Sequence, residues 1–292
     1  MSSFALGLIL AAALCHATWN YVLKKSGGGI GILTLSAVLA SIMLTPVAIG
    51  ILLFGEFAFK PVHFAVVFGS GMLHTVYFLL LDRAYRAGGD LSIVYPLARA
   101  TGPLLTIVAA VLLLDEHMSG IALAGALLIG VSALALAGNP LKIATDLAAK
   151  RAQRSAGFAL LTGCMIAAYT VWDKQAVAAF LIPPVVFDWC ANLSRISLLV
   201  PLARLRDPGA IARAWREQRK AAFIIGILSP LSYILVLTAM VFTPVSYVAP
   251  ARELSILFAA LMGAQWLNEG NTLRRGAAAL GMVLGVSALA LG

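Results

Sequence analysis

The sequence predicts an all-α integral membrane protein of ten transmembrane helices, arranged as two antiparallel five-helix inverted repeats around a central cavity. Hydrophobic residues make up 61% of the 292 residues and charged residues only 11%, whereas a soluble domain carries roughly 25% charged residues. The apolar residues fall in runs of about 20, the length of a membrane-spanning helix, and not in the short alternating segments of a barrel. The heptapeptide Gly-Val-Ser-Ala-Leu-Ala-Leu closes two of these runs, at Gly130–Leu136 and again 155 residues later at Gly285–Leu291.

Ten apolar stretches are long enough to cross a bilayer, and the first lacks the basic leader of a signal peptide, so we expect it to be retained. The predicted spans cover residues 4–23, 30–53, 62–82, 92–114, 119–138, 156–178, 184–203, 221–242, 246–267 and 273–291. The first repeat is therefore expected at residues 1–138 and the second at 156–292, joined by a basic cytoplasmic linker at 139–155. A second basic segment, Ala210–Lys220, fits either a short helix on the membrane surface or a solvated linker.

Matched residues recur in the two halves at nearly the same spacing. Offsets of 153 or 154 residues relate the pairs Trp19 and Trp172, Asn20 and Asp173, Pro96 and Pro250, Arg99 and Arg252, and Glu116 and Glu269. Five spans per half is an odd number, so the second half enters the membrane from the opposite face. A duplicated, very apolar unit with ionisable residues at matched places is typical of inverted-repeat transporters that work by alternating access.

The basic residues are distributed very unevenly between the two sides of the membrane. Sixteen Lys and Arg residues lie in the loops between spans 1–2, 3–4, 5–6, 7–8 and 9–10. The opposite side, which includes both termini, holds only Lys60 and Lys174, and the remaining arginines lie within spans. Because basic loops are retained in the cytoplasm, we expect both termini to be periplasmic. This distribution explains the net charge of +9 without a nucleic-acid partner.

Charged side chains within spans four and nine are the first candidates for a functional site. Arg99, Arg252 and Glu253 lie about two turns into these spans, where a charge costs at least about 2.5 kcal/mol on insertion scales. Each site follows a proline, Pro96 or Pro250, and a helix break there would free backbone carbonyls. In a functional interpretation an arginine binds a substrate carboxylate, and Glu253 binds an amine or carries a proton. The alternative is an internal ion pair, such as Arg252 with Glu253, that only locks the helices.

Polar and aromatic side chains on the other spans supply candidates for the wall of the pathway. They are His16, Trp19, Asn20, His74, Tyr77, Tyr95, Tyr169, Trp172, Tyr233 and Tyr247. Trp19 and Trp172 lie near span ends, so they also fit an aromatic belt at the membrane interface. His16 and His74 fit hydrogen-bonded packing as well as a proton relay.

Other features point to structural roles. Glu116 and Glu269 end spans four and nine, and we expect them to cap turns and not to bind substrate. The motif Gly281-x-x-x-Gly285 allows close packing of span ten, within the fold or between protomers. No metal-ligand spacing and no nucleophile–base pattern is present. We therefore expect no metal, no cofactor and no enzymatic activity.

Together these residues resemble the drug/metabolite transporter superfamily in its EamA-type branch. The resemblance rests on the two five-span halves, the Trp19-Asn20 and Trp172-Asp173 pairs, and the paired glutamates, and it covers essentially the whole chain. It implies a basket in which spans one to four and six to nine surround a central cavity, with spans five and ten at the periphery. It also implies bacterial export of small metabolites, often amino acids. Within the superfamily, the chain resembles the aromatic amino-acid exporters. Many members are described with cytoplasmic termini, whereas the charge distribution here predicts the opposite.

The expected function is export of amino acids or similar small metabolites across the bacterial inner membrane. Its partners would be the substrate and the lipid bilayer, and transport would follow the substrate gradient or couple to protons through Glu253, His16 or His74. One alternative is export of drugs or other cationic compounds, which would need an unpaired carboxylate in the cavity. Another is a non-transporting membrane receptor or assembly subunit, which would tolerate replacement of the cavity charges.

Overall fold

A computed structural model describes residues 1–86, 91–137, 150–267 and 272–292 of the chain, and every regular element within these ranges is a helix. In chain order the helices are α1 Ser3–Lys25, α2 Ile30–Phe54, α3 Pro61–Arg86, α4 Leu91–Leu114, α5 Gly120–Ala137, α6 Lys150–Ala178, α7 Pro184–Arg206, α8 Ala210–Phe242, α9 Val245–Ala251, α10 Leu254–Leu267 and α11 Thr272–Leu291. The predicted all-α class is confirmed for the described part of the chain.

Most of these helices have the length and composition of membrane spans. Among the described residues, seven helices are long and apolar enough to cross a bilayer, namely α1 to α4 and α6 to α8. Helices α5 and α11 are shorter apolar helices, with apolar segments Gly120–Ala135 and Gly276–Leu291. The chain is therefore a multi-pass membrane protein, and the count of ten spans stays a prediction.

The basic segment before span eight differs from both sequence interpretations. Instead of a separate surface helix or a solvated linker, Ala210–Lys220 forms the first third of α8, which continues to Phe242 over 33 residues. The segment contains strong helix formers, and no glycine or proline interrupts residues 211–225, so nothing stops the helix from extending beyond the membrane. Part of the other basic linker, at 138–149, lies outside the described residues, and α6 begins within the linker at Lys150.

Span nine, expected as one helix, is divided into α9 and α10 by a turn at Arg252 and Glu253. There the backbone tightens, since the Glu253 amide donates to the Pro250 carbonyl three residues back at 3.1 Å. By contrast, α4 runs through Pro96 without interruption, so the expected break there is wrong. Pro96 is only the sixth residue of α4, where its missing amide removes a single hydrogen bond to the first turn. Pro250 is likewise the sixth residue of α9. A proline at this position therefore does not by itself account for the turn at Arg252 and Glu253.

The closest packing joins helices from the two halves of the chain. Helix α1 lies along α8 and α10, and α6 lies along α3 and α4. Helix α2 packs on α7 and α8, while α4 packs on α9 as well as α6. Helices α5 and α11 pack on each other. Neither half forms a separate bundle, and the charged residues of spans four and nine lie where the halves meet.

Contacts at the helix ends show which loops share a face. The Gln218 side chain, at the start of α8, donates to the Ser26 carbonyl after α1 at 2.7 Å, so the basic loops 1–2 and 7–8 are neighbours. At the opposite end the Met1 amino group donates to the Ala290 carbonyl at 3.4 Å. The two termini therefore lie together, away from these basic loops.

The α5–α11 contact uses glycines for close approach of the two backbones. A Cβ atom added at Gly285 would lie 2.7 Å from the Gly125 carbonyl oxygen, whereas one added at Gly276 would meet no atom within 4 Å. The Gly281-x-x-x-Gly285 motif thus packs within the fold.

We expect Gly285→Ala to destabilise the protein by about 1–3 kcal/mol, the usual cost of overpacking. Gly276→Ala on the same helix is the matched control, and its thermal midpoint in detergent should stay level or rise, because alanine favours helix. Equal midpoints for the two variants would contradict the close α5–α11 packing.

Candidate functional site

Two half-buried side chains hold the loop that leads into the broken span. The Glu116 carboxylate accepts hydrogen bonds from the amides of Val245 and Ser246, both at 2.8 Å, and so caps the start of α9. The Lys174 ammonium donates to two carbonyls at the end of α8, at 2.5 and 3.0 Å. The cap role expected of Glu116 is confirmed by these bonds, whereas Glu269 lies outside the described residues. The turn at Arg252 and Glu253 is thereby fixed relative to α4 and α6.

A first group of charged side chains, the Arg99 cluster, consists of Arg99, Glu253 and His16. Arg99 Nη1 lies 3.3 Å from Glu253 Oε1, so the ion pair joins the two halves of the chain. Arg99 Nη2 lies 2.7 Å from His16 Nε2 on α1. Since a guanidinium can only donate, His16 Nε2 must accept and carries no proton in this arrangement. The second oxygen of Glu253 is buried without a hydrogen-bond partner.

A second group, the Asp173 cluster, consists of Asp173, Tyr233, His74 and Tyr169. The Tyr233 hydroxyl donates to Asp173 Oδ2, and His74 Nε2 lies 3.9 Å from the same oxygen. The His74 ring stacks on Tyr169 with ring centroids 4.1 Å apart, and Tyr77 packs edge-on against Tyr169. Asp173 is fully buried, and its Oδ1 atom has no hydrogen-bond partner.

Arg252 connects the two clusters. Its guanidinium lies 5.6 Å from the ring centroid of Tyr233, a cation–π distance, and it precedes Glu253 in the chain. The expected alternative of an Arg252–Glu253 ion pair is wrong for this structure, because Glu253 pairs with Arg99 instead. Neighbouring residues in a helical turn point in different directions, so the two side chains reach different clusters.

The Arg99 cluster leaves little free space. A cavity of about 10 Å³ adjoins Arg99 and Glu253 and is otherwise lined largely by small and apolar residues of α4 and α5. That volume holds about one water molecule, which could serve the unpaired Glu253 oxygen. A larger groove of about 590 Å³ lies elsewhere, beside Arg204, Trp215 and Arg216. Within the described ranges, no group of three or more His, Cys, Asp or Glu side chains is placed to hold a metal ion.

Several predicted site residues lie apart from both clusters. Asn20 donates to the His16 carbonyl on its own helix at 2.8 Å, and Tyr247 donates to the Gly292 carbonyl near the termini at 3.4 Å. Trp172 is 41% exposed, and its indole donates to a carbonyl of α3. Trp19 packs edge-on against the His16 ring and so borders the Arg99 cluster. The side chains of Tyr95 and Pro96 lie outside the described part of the chain.

The structure also adds residues that the sequence argument did not select. Asp173, the counterpart of Asn20, is not among the wall residues predicted from the sequence, yet it is the centre of the second cluster. Asp188 on α7 is 3% exposed, and one of its carboxylate oxygens has no hydrogen-bond partner. Asn192, one turn later, donates to Ser41 on α2 at 2.8 Å. An acidic residue within an apolar span is itself a functional signal, and it would have identified both aspartates.

The helices, the split ninth span and the buried charges can be compared with known proteins. The sequence profile of the EamA-like transporter family matches residues 153–291. Residues 153–291 form an EamA-like transporter domain. The family predicted from the sequence is thereby confirmed for residues 153–291, and the coarse function that an EamA-like domain carries is transport of small molecules across a membrane. Asp173, Arg252 and Glu253 all lie within the EamA-like domain.

Solved structures support the fold over the full length of the chain. One crystal structure superimposes with a TM-score of 0.78 and covers 100% of this chain and 98% of its own, at 17% identity. At that identity the likeness shows the fold alone. Comparison with curated proteins gave no match.

We expect Tyr233→Phe to lower stability by about 1–3 kcal/mol, because Asp173 would lose its hydrogen-bond donor and leave a buried oxygen unsatisfied. The measurement is thermal unfolding of purified protein in detergent. Tyr247→Phe is the matched control, since its hydroxyl makes only a long bond of 3.4 Å. An unchanged midpoint for Tyr233→Phe would show that the hydroxyl does not support Asp173.

Proposed function

We propose that the protein exports amino acids or similar small zwitterionic metabolites across the membrane by alternating access. The observation that carries this proposal is the ion pair between half-buried Arg99 and buried Glu253, which joins spans four and nine at 3.3 Å. Intramembrane charges usually mark a substrate or ion pathway. Here the two charges have opposite signs, come from opposite halves, and lie next to a second cluster of titratable groups.

A zwitterion suits this pair better than an ion of one sign. An amino acid carries a carboxylate and an ammonium a short distance apart, so it can take the place of both partners at once. Its carboxylate would bind Arg99 while its ammonium binds Glu253, and no buried charge would remain uncompensated. A simple anion or cation would leave one partner unpaired, which costs about 3–5 kcal/mol in a buried site. The rings of Trp19, Tyr233, Tyr169 and Tyr77 would form the apolar wall.

Entry of a substrate requires the halves to separate, because the cavity beside the pair holds only about one water molecule. We infer ten spans in two inverted repeats, residues 1–138 and 156–292, joined by the linker at 139–155. The packing between the halves supports this inference, because the first helix of each repeat lies along the third helix of the other. Helix α1 lies along α8, and α6 lies along α3. Rocking of one repeat against the other would open the Arg99–Glu253 pair to each side in turn.

Export of cationic compounds is the second candidate, and one observation favours it. Asp173 is a buried carboxylate with one oxygen unpaired, as recognition of a cation requires. Its neighbour Arg252 opposes a second cation, so we rank this function behind amino-acid export. A receptor or assembly subunit would need none of these paired charges, and an absence of transport would favour it.

The experiment is uptake and efflux of labelled compounds by proteoliposomes, with neutral amino acids, organic cations and organic anions in parallel. Saturable flux of neutral amino acids alone supports the proposal. Flux of organic cations alone would replace it with the second function, and flux of no compound would favour the receptor alternative. The panel thus separates all three.

Substitution of the ion pair should separate recognition from folding. We expect Arg99→Ala and Glu253→Gln each to lower amino-acid flux about a hundredfold or more, because each leaves a buried charge without its partner. The double variant with Arg99→Gln and Glu253→Gln removes both charges, so it should keep the folded state but not transport. Arg213→Ala, which breaks an exposed pair with Asp207, is the surface control. Normal flux in the double variant would exclude this pair from substrate recognition.

We further propose that the protein lies in the bacterial inner membrane with both termini in the periplasm. The support is the sixteen-to-two distribution of basic residues and the neighbouring positions of the termini, at the face opposite loops 1–2 and 7–8. Alkaline phosphatase fused after Gly292 should therefore be active, and a green fluorescent protein fused there should be dark. The same reporters inserted after Pro208 should give the reverse result. A fluorescent C-terminal fusion would overturn the orientation.

A further inference from the structure

The two nitrogens of His74 face different partners, and this fixes where a proton can lie. His74 Nδ1 is 3.0 Å from the Ser70 carbonyl oxygen. A carbonyl can only accept, so Nδ1 carries a hydrogen. His74 Nε2 faces Asp173 Oδ2 at 3.9 Å. If His74 is neutral and Asp173 ionised, the Nε2 lone pair faces a buried anion with no hydrogen between them.

One additional proton removes this conflict in either of two ways. On Nε2 it makes an imidazolium that faces the carboxylate, and on Asp173 it makes a carboxylic acid that donates toward Nε2. Asp173 is fully buried, and its Oδ1 atom has no hydrogen-bond partner, so the protein leaves the negative charge of an ionised Asp173 incompletely compensated, and a proton would remove that charge. We propose that the His74–Asp173 pair is the binding site of a coupling proton, a role that rests on the transport function proposed above.

The groups around the pair determine how proton binding affects the substrate. Tyr233 donates to Asp173, Tyr169 stacks on His74, and the Ser70 hydroxyl lies 3.4 Å from Nδ1. The charged groups that act on the pair are Arg252, Arg195 and Asp188. Among them, Arg252 stacks on Tyr233 and adjoins Glu253 in the chain.

Proton and substrate ammonium compete in this arrangement. When Asp173 is ionised it balances Arg252, and Glu253 balances Arg99, so the two clusters together are neutral. A bound proton makes them positive and disfavours a further cation nearby. Binding of the proton therefore weakens binding of the substrate ammonium. By linkage each weakens the other equally, which is the condition for a proton–substrate antiporter.

The test uses the full-length protein in proteoliposomes and compares two kinds of flux. Wild-type protein should accumulate a neutral amino acid against its gradient when an opposing proton gradient is imposed, and should also exchange labelled for unlabelled amino acid without one. Asp173→Asn should lose the gradient-driven accumulation and keep the exchange, with a raised KM because its clusters carry the same net charge as the protonated wild type. Asp207→Asn, which replaces an exposed carboxylate remote from both clusters, is the control and should keep both. Wild-type-like accumulation in Asp173→Asn would overturn the proposal.

A second measurement does not depend on transport. Infrared difference spectra of purified protein between acid and alkaline pH should contain either a protonated-carboxyl band that shifts in His74→Gln and disappears in Asp173→Asn, or an imidazolium band that disappears in His74→Gln and is altered in Asp173→Asn. Asp207→Asn, at a surface carboxylate, should leave that band unchanged. If no amino acid is transported but the band behaves in this way, the proposed function fails and the proton site stands. Identical spectra for wild type and Asp173→Asn would exclude the site.

Discussion

A charge within a bilayer has no water to solvate it, and the interior of this protein is organised around that constraint. Within the spans, the buried carboxylates Asp173, Asp188 and Glu253 are accompanied by Arg99, Arg195 and Arg252. Pairing of opposite charges lowers the cost of placing them in an apolar bundle. The Arg99–Glu253 pair also links the two halves, so the same contact that solvates the charges sets how the halves meet.

The two charges of span nine lie at the split between α9 and α10. Neighbouring residues of a helix already diverge by about 100° around its axis. Here Arg252 reaches Tyr233 on α8, and Glu253 reaches Arg99 on α4. The Glu116 carboxylate, at the end of α4, caps the first residues of α9. This cap sets the position of the turn between α9 and α10. A residue remote from both clusters thus fixes the geometry of the site.

Hydropathy and charge predicted the helices well, because span length and burial of apolar surface are local properties of the sequence. Arg99, Arg252 and Glu253 were also found from the sequence, since a charge in an apolar run stands out. Their partners could not be found in this way, because pairing depends on how distant helices pack. Adjacent Arg252 and Glu253 were the natural pair in the sequence, yet helix geometry separates their side chains. Asp173 was not selected, although an acidic residue within an apolar span carries the same signal as Glu253.

The two arginines show how a duplicated scaffold acquires an asymmetric site. Arg99 and Arg252 occupy matched positions, but the residue after Arg99 is Ala100, whereas the residue after Arg252 is Glu253. Likewise Asn20 in the first half is matched by Asp173 in the second. Both carboxylates of the two clusters therefore belong to the second half. In the proposed mechanism the matched halves of the fold provide the alternating-access motion, which requires two similar units. The carboxylates that lack a counterpart in the first half provide substrate recognition, which requires a site whose two ends differ. A zwitterion has two different ends, and only a site without symmetry can bind it in one orientation throughout transport.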